Sequence, residues 1–179
     1  GWDDTHSGWS VSFNVAEHYG HNFEHSQLIE NIPNGFYALT LRGFYRHQSS
    51  DDAYTSYIQN TNNNFYLFAT VAEGDTVKGL MPNIWAGHSL ENLGVGTSSC
   101  VIDAEGNYLY VPNDMSASEA YFNHEVYGPK YDATIYFVVT EGSVRIGIKQ
   151  DVNLFSSWAL WDNWRLTYYG GSTDASDAI

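Results

Sequence analysis

The chain of 179 residues has a single cysteine, few basic residues and little helical periodicity. Cys100 has no second cysteine with which to form an internal disulfide, and a cysteine-rich metal framework is excluded. No run of about 18 apolar residues is present, so we expect no membrane-spanning helix. The scarcity of apolar residues at helical spacing argues against a helical bundle.

Basic residues are outnumbered three to one. Seven Lys and Arg stand against 21 Asp and Glu, which gives a formal net charge of −14. A chain this acidic is repelled by nucleic acids and by anionic membrane surfaces. Its partners are therefore expected to be neutral molecules, cations or basic proteins. Neutral polysaccharide is compatible with this charge, because six Trp, 14 Tyr and nine Phe are available to stack on sugar rings.

What the chain does contain is a series of short apolar runs separated by Gly, Asn and Asp, which is typical of an all-β domain. The longest alternating run, over residues 36–47, predicts a strand with Tyr37, Leu39 and Leu41 on one face. A polar loop is predicted over residues 48–64.

Two runs near the C-terminal end, residues 131–140 and 143–149, predict a hairpin across Glu141 and Gly142. Period two gives their inward positions. These are Ile135, Phe137 and Val139, facing Val144, Ile146 and Ile148. One short helix is predicted over residues 116–124, because Ser116 followed by Glu119 is a capping-box pattern.

The strand over residues 158–168 carries a carboxylate among apolar and aromatic residues. If Trp164 and Leu166 point inward, period two places Asp162 inward as well. An unpaired buried carboxylate is costly, and a bound Ca²⁺ is one solution. The alternative is a carboxylate that pairs with Arg46 or caps backbone amides.

Aromatic and histidine side chains in polar loops are the candidate ligand contacts, because binding residues concentrate on loops. They are Tyr19, Tyr54, Tyr57, Trp85, His88 and Phe155. Trp158, one of three tryptophans in the last strand region, is the seventh candidate, because a ring there could also stack on a sugar. The alternative for each ring is a plug that packs on the core, and Trp158 in particular could pack under the preceding loop.

Enzyme motifs are not visible. His18, His21 and His25 have helical spacing in a segment that does not read as helical, and no metalloprotease motif accompanies them. A glycosidase requires two carboxyl groups fixed across a cleft, and the sequence identifies no such pair. We therefore expect a domain without catalytic activity, with a jelly-roll hydrolase or lyase as the least favoured alternative.

Several short motifs occur in a characteristic order between residues 30 and 168. They are Ile32-Pro33-Asn34-Gly35-x-Tyr37, Phe44-Tyr45-Arg46, Tyr66-Leu67-Phe68-Ala69, Val111-Pro112-Asn113-x-Met115-x-Ala117-x-x-Ala120-Tyr121-Phe122, Ile146-Gly147-Ile148-Lys149 and Trp158-x-x-x-Asp162-Asn163-x-Arg165-Leu166. In these motifs the chain resembles the galactose-binding-domain-like jelly-roll accessory domains of Bacteroidetes polysaccharide-degrading proteins. More distantly it is similar to carbohydrate-binding modules of families 4, 22, 6 and 35.

Residues 170–179 are mostly Gly, Ser, Asp and Ala, which predicts a flexible linker or tail. For residues 1–169, the resemblance implies an all-β jelly-roll sandwich. It also implies a structural Ca²⁺ bound by Asp162, with Asp3 and Asp4 as the N-terminal candidates.

The function implied is that of a secreted, monomeric carbohydrate-binding module. It would tether a covalently linked catalytic or surface domain to plant glycan of the xylan, β-glucan or mannan type. A structural spacer of the same fold, without a ligand, is the alternative.

Overall fold

The computed structural model describes residues 1–61, 64–72, 75–152 and 155–171. Within these ranges the secondary structure is mainly β, with two α-helices and two short 3-10 helices. The strands are β1 (Asp3–Asp4), β2 (Ser10–Ser12), β3 (Val15–Tyr19), β4 (Phe23–Glu30), β5 (Gly35–Arg46), β6 (Phe65–Ala72), β7 (Asp75–Leu80), β8 (Ser98–Ile102), β9 (Tyr108–Pro112), β10 (Asp132–Val139), β11 (Ser143–Gln150) and β12 (Trp158–Gly170). The helices are α1 (Ser50–Ile58) and α2 (Met115–Asn123), and the 3-10 helices are Ile84–Gly87 and Gly128–Tyr131.

Two antiparallel five-stranded sheets face each other. The first sheet has the order β1-β4-β11-β6-β7, and the second has the order β10-β5-β12-β3-β2. Strands β8 and β9 form a separate two-stranded ladder. The predicted all-β sandwich is confirmed. None of the helices in the described ranges is long and apolar enough to cross a membrane.

The main core fills the space between the two sheets. Tyr37, Leu39 and Leu41 of β5 are buried in it, as the alternation predicts. So are all six residues predicted to face each other from β10 and β11. Burying each large apolar side chain contributes about 1.5–3 kcal/mol, so this layer supplies most of the driving force for folding.

A second apolar cluster covers the outer face of the second sheet. Phe44, Trp158 and Leu160 of that sheet pack there against Trp85 and Tyr131. Residues of α1, α2 and β9 complete the cluster. The helices therefore lie on one side of the sandwich and leave the outer face of the first sheet without such a cover.

The prediction of a hairpin across Glu141 and Gly142 is wrong, because strands β10 and β11 do not pair with each other. Strand β10 pairs with β5 in the second sheet, whereas β11 pairs with β4 and β6 in the first. The turn carries the chain from one sheet to the other. The inward residues of the two strands still face each other, because they meet across the core.

The helices differ from the prediction in two ways. Helix α1 lies inside the segment predicted to be a loop, and a capping box between Ser49 and Asp52 opens it. Helix α2 is present where a helix was predicted, but its N-cap is Asp114, whose side chain accepts a hydrogen bond from the Ala117 N–H. Of the predicted tail at 170–179, residues 172–179 lie outside the described residues.

A β-bulge interrupts β12. The pairing of β12 with β5 shifts register between Asp162 and Arg165, and Asn163 has a positive φ of 59°. Such a bulge reverses which face the following side chains point to. Trp161 and Trp164 therefore both pack against the main core. Asp162 falls on the outer face with Leu160, which corrects the prediction that it points inward.

Candidate functional site

An open pocket of about 240 Å³ lies at one end of the second sheet, where three strands and the β9–α2 connection meet. We call it the edge pocket. It is lined by Glu17, Tyr19, Arg46, Asn113, Asp114, Met115 and Trp158. Two of the seven predicted ligand contacts, Tyr19 and Trp158, are thus brought to one place.

The floor of the edge pocket is a cross-strand row. Trp158 of β12 lies opposite Tyr19 of β3 on one side and Arg46 of β5 on the other. The Tyr19 side chain is 51% exposed, whereas Trp158 is 4% exposed. The Trp158 indole N–H donates to Glu17 Oε2 at 2.6 Å. Tyr19 is therefore the ring available for stacking, and Trp158 is a buried support, as its packing alternative predicts.

Arg46 links the two halves of the pocket. Its guanidinium lies 5.0 Å from the Trp158 ring centroid and donates from Nη1 to Asn113 Oδ1 at 2.7 Å. A longer contact of 3.5 Å joins Nη2 to the carbonyl of Ser156. Burial lowers the pKa of Arg46 from its ordinary value. Its Nε is buried and has no hydrogen-bond partner among the described residues, an arrangement that costs free energy unless another acceptor is present.

The Asp114 carboxylate has a structural role, because its oxygens already accept hydrogen bonds from within the protein. It accepts hydrogen bonds from the Thr97 amide and hydroxyl, the Ser116 hydroxyl and the Ala117 amide. Burial alone would raise the pKa of Asp114, but the bonds from Ala117, Thr97 and Ser116 lower it to about 2. The carboxylate is thus ionised at neutral pH and holds the β9–α2 connection in place.

Four other predicted contacts lie on the helix-covered side. Trp85 is fully buried in the second cluster, and its indole N–H donates to the Ser50 carbonyl at 2.9 Å. Tyr54 packs edge-on against it at 5.1 Å between ring centroids. Trp85 is therefore the plug on the core that was the alternative to a ligand contact, because helix α1 forms in the segment predicted to be a polar loop and packs against the ring.

Tyr57 and His88 form an edge-on pair at 6.3 Å between ring centroids. Tyr57 lines a cavity of about 340 Å³ with Leu80 and Pro82. His88 lines a different cavity of about 530 Å³ beside Tyr127. These side chains are separate from the edge pocket. Phe155, the seventh predicted contact, is 88% exposed and precedes Ser156, which contacts Arg46.

The three predicted calcium ligands do not form a common site. Asp162 lies on the outer face of β12 opposite Arg42, whose pKa is raised mainly by its hydrogen bond to Asp132 and further by the charges of Asp132 and Asp162. Asp3 accepts a hydrogen bond from Arg145 at 3.0 Å, and Asp4 bonds to two histidines. Among the described residues, no group of three or more His, Cys, Asp or Glu is placed to hold a metal. The structure thus gives the three carboxylates separate partners, and Ca²⁺ binding stays a prediction.

Asp4 instead fastens the N-terminal segment to the sandwich. Its Oδ2 contacts His18 Nε2 at 3.0 Å and His25 Nδ1 at 2.9 Å. Trp2 stacks on His25 at 4.7 Å, and His6 stacks on His21 at 3.8 Å. The sequence shows the histidine spacing, but nothing local in it indicates that Asp4 is the shared acceptor.

Acidification from pH 7 to pH 5 is expected to lower the free energy of unfolding through His18. Burial lowers the pKa of His18 more than hydrogen bonding to Asp4 raises it, with further lowering by the charges of His25 and His6. Below the unfolded value of about 6.5, the unfolded chain then binds a proton that the folded chain does not. Stability is lost as the pH falls from there towards the folded pKa of His18.

The measurement is urea denaturation at pH 7, 6 and 5 for the wild type and for His18→Gln, which keeps a donor for Asp4. Burial would raise the Asp4 pKa, but the hydrogen bonds from His18, the His6 amide and His25 lower it overall. The Asp4 contribution is therefore lost only below about pH 3.8, outside this window. The variant should show a shallower pH dependence, and equal slopes would contradict the assignment to His18.

The chain has a distant structural likeness to a known carbohydrate-binding module and no match in sequence. No family model matches the chain, and no curated protein matches it. Among solved structures, the chain is similar to TmCBM61, a carbohydrate-binding module solved in complex with β-1,4-galactotriose. The identity is 10%, the TM-score is 0.47, and the alignment covers 93% of this chain and 88% of that chain. A likeness this distant leaves the function to be argued from the residues of this chain.

Proposed function

We propose that this domain is a non-catalytic carbohydrate-binding module whose sugar ligand lies in the edge pocket against Tyr19. One observation carries the proposal: a half-exposed tyrosine ring stands in an open pocket beside Glu17, Arg46 and Asn113. This combination suits a sugar, because the ring face can pack on the apolar face of a pyranose and the polar groups can form hydrogen bonds with its hydroxyls.

The binding is expected to be weak. Stacking of a planar ligand on an aromatic ring contributes about 1–3 kcal/mol, judged from nucleic-acid modules. One exposed ring and a few hydrogen bonds therefore correspond to a dissociation constant in the micromolar to millimolar range. Binding this weak becomes effective when the module is tethered to another domain, because tethering raises the local substrate concentration.

The formal charge of −14 favours neutral glycans of the xylan, β-glucan or mannan type for the edge pocket. A location outside the cell, a covalently linked catalytic or surface domain, and a monomeric state belong to the same proposal. Ca²⁺ stays a prediction without assigned ligands. Thermal unfolding with and without a chelator tests it, since a bound structural ion raises the melting temperature.

The deciding experiment is affinity electrophoresis and calorimetry with xylan, β-glucan, mannan and β-1,4-galactan. Tyr19→Ala is expected to weaken binding about tenfold or more, in line with the loss of one stacked ring. Tyr136→Ala is the matched control, because Tyr136 is also 51% exposed but lies on β10, outside the pocket. Equal binding by wild type and Tyr19→Ala would contradict the site.

A ligand-free spacer is the second candidate, and the burial of Trp85 and Trp158 favours it. Two rings that could have stacked on sugar are part of the core instead. The same experiment separates the two functions. The migration of a spacer would not be retarded by any of the glycans, and calorimetry would detect no heat of binding.

A further inference from the structure

The outer face of the first sheet concentrates positive charge in an otherwise acidic protein. Three of the seven basic residues, Lys78, Arg145 and Lys149, line a single cavity of about 180 Å³ there. Glu24 is the only acidic residue in its described lining, so the lining carries a net charge of +2. We call this the basic cavity. It lies on the opposite sheet from the edge pocket.

Strand register builds the basic cavity. Arg145, Gly147 and Lys149 alternate along β11 and therefore share its outer face. Phe68 of β6 lies opposite both Gly147 and Lys78. A Cβ atom at Gly147 would lie 2.7 Å from the Phe68 ring, so the glycine leaves the space that this ring occupies. The result is an aromatic floor framed by three long cationic side chains.

The cations are only partly neutralised within the protein. Lys78 lies 4.4 Å from the Tyr66 ring centroid and 3.4 Å from its hydroxyl, and has no carboxylate partner among the described residues. Lys149 has two distant carboxylates, Glu24 and Asp151, each at 3.5 Å.

The third cation of the basic cavity, Arg145, has an exposed carboxylate partner that a ligand could replace. Its Nη1 donates to the exposed Asp3 carboxylate at 3.0 Å and to the Ser26 hydroxyl at 3.1 Å. An ion pair with an exposed partner is weak, so another carboxylate can replace Asp3 on the guanidinium fork.

We infer that the basic cavity is a second binding site, which takes a sugar unit bearing a carboxylate, that is, a uronic acid. Arg145 and the two lysines would hold the carboxylate. The hydroxyls of Thr70 and Thr76, 2.9 Å apart on the same face, would bond the sugar hydroxyls. At 180 Å³ the cavity is smaller than the 300–1,000 Å³ of typical ligand pockets, which matches one sugar unit at a chain end.

This inference is independent of the edge pocket and gives the module a second specificity. An acidic chain with overall charge −14 repels polyuronates at long range, and salt screens that repulsion beyond about 8 Å at physiological ionic strength. We therefore expect the three cations of the basic cavity to attract a uronate at short range, and we expect binding to be measurable in physiological salt.

The test is a calorimetric and NMR titration of the whole chain with glucuronic and galacturonic acid, and with glucose and galactose as neutral counterparts. Each uronate is expected to bind at least tenfold more tightly than its neutral sugar. Lys78→Gln is expected to weaken uronate binding about fivefold or more. Lys130→Gln is the matched control, since Lys130 lies over the Tyr127 ring at 5.7 Å, outside the basic cavity.

Three results would overturn the inference: equal affinity for the uronates and the neutral sugars, equal losses in the two lysine variants, and polyglutamate competing as well as the uronates do. Tyr19→Ala keeps the two proposals apart. It should leave uronate binding unchanged, so failure at one site is distinguishable from failure at the other. Melting temperatures of all variants confirm that each one is folded.

Discussion

Replacement of Trp85 by alanine is expected to lower the free energy of unfolding by about 3–5 kcal/mol, as for other large-to-small changes in cores. Trp85 is fully buried and belongs to the cluster that joins α1 and the first 3-10 helix to the second sheet. The change removes the edge-on contact with Tyr54 and leaves the Ser50 carbonyl without the indole donor. Urea denaturation followed by far-UV circular dichroism measures the loss.

Phe155→Ala is the control for Trp85. Phe155 is 88% exposed, so its removal should change stability by less than about 0.5 kcal/mol. A loss of under about 1 kcal/mol for Trp85→Ala would show that the ring is not the structural plug described above. The placement of α1 over it would then be incorrect.

Replacement of Arg42 by alanine is expected to lower the free energy of unfolding by about 3 kcal/mol, the lower end of the range for buried ion pairs, because the Arg42–Asp132 pair is only partly buried. Arg42 donates to both carboxylate oxygens of Asp132, at 2.7 and 2.9 Å, and to the Phe122 carbonyl in α2. It is also the cation opposite Asp162. Without it, Asp162 loses the cation opposite it, Asp132 keeps only the exposed Arg165, and the Phe122 carbonyl of α2 loses its hydrogen bond from β5.

Arg165→Ala is the matched arginine control. Arg165 reaches Asp132 at 3.4 Å, but its side chain is mostly exposed, so its loss should cost less than about 1 kcal/mol. Urea denaturation of both variants measures the difference. Equal losses would contradict the role given to Arg42. Recovery of the Arg42→Ala loss on addition of Ca²⁺ would return Asp162 to the list of metal ligands.

The sequence predicts the sandwich well because period-two alternation is a local signal. It places Leu39, Phe137 and Ile146 in the main core, where all three are found. It fails where the outcome depends on distant partners. The turn at Glu141 and Gly142 is compatible with a hairpin or with a crossing between sheets, and only the pairing of β10 with β5 decides between them.

The bulge in β12 shows how one residue changes a prediction about a site. Asn163 tolerates a positive φ better than most residues do, which is a faint sequence signal for a bulge. If the bulge is not taken into account, period-two alternation places Asp162 on the inward face, where a buried carboxylate suggests a bound metal. Helix α1 had a clearer signal, since Ser49 and Asp52 have the spacing of a cap with an acidic residue at the third helical position.

The edge pocket could be predicted only in part. Tyr19 is recognisable as a candidate from its polar neighbours, and Trp158 from the three tryptophans of the last strand region. Glu17, Arg46 and Asn113 are missed as ligand contacts, because they come from β3, β5 and the end of β9 and meet only through sheet pairing and the placement of α2. A single sequence carries no local signal for such contacts.

The central claim is that a sugar stacks on Tyr19 in the edge pocket, and an NMR titration of the labelled chain with the tightest-binding oligosaccharide tests it most directly. The account predicts chemical-shift changes centred on the backbone amides of Tyr19, Asn113 and Trp158 and on the Trp158 indole N–H. Changes centred instead on Tyr57 and His88, or no changes with any glycan, would contradict it.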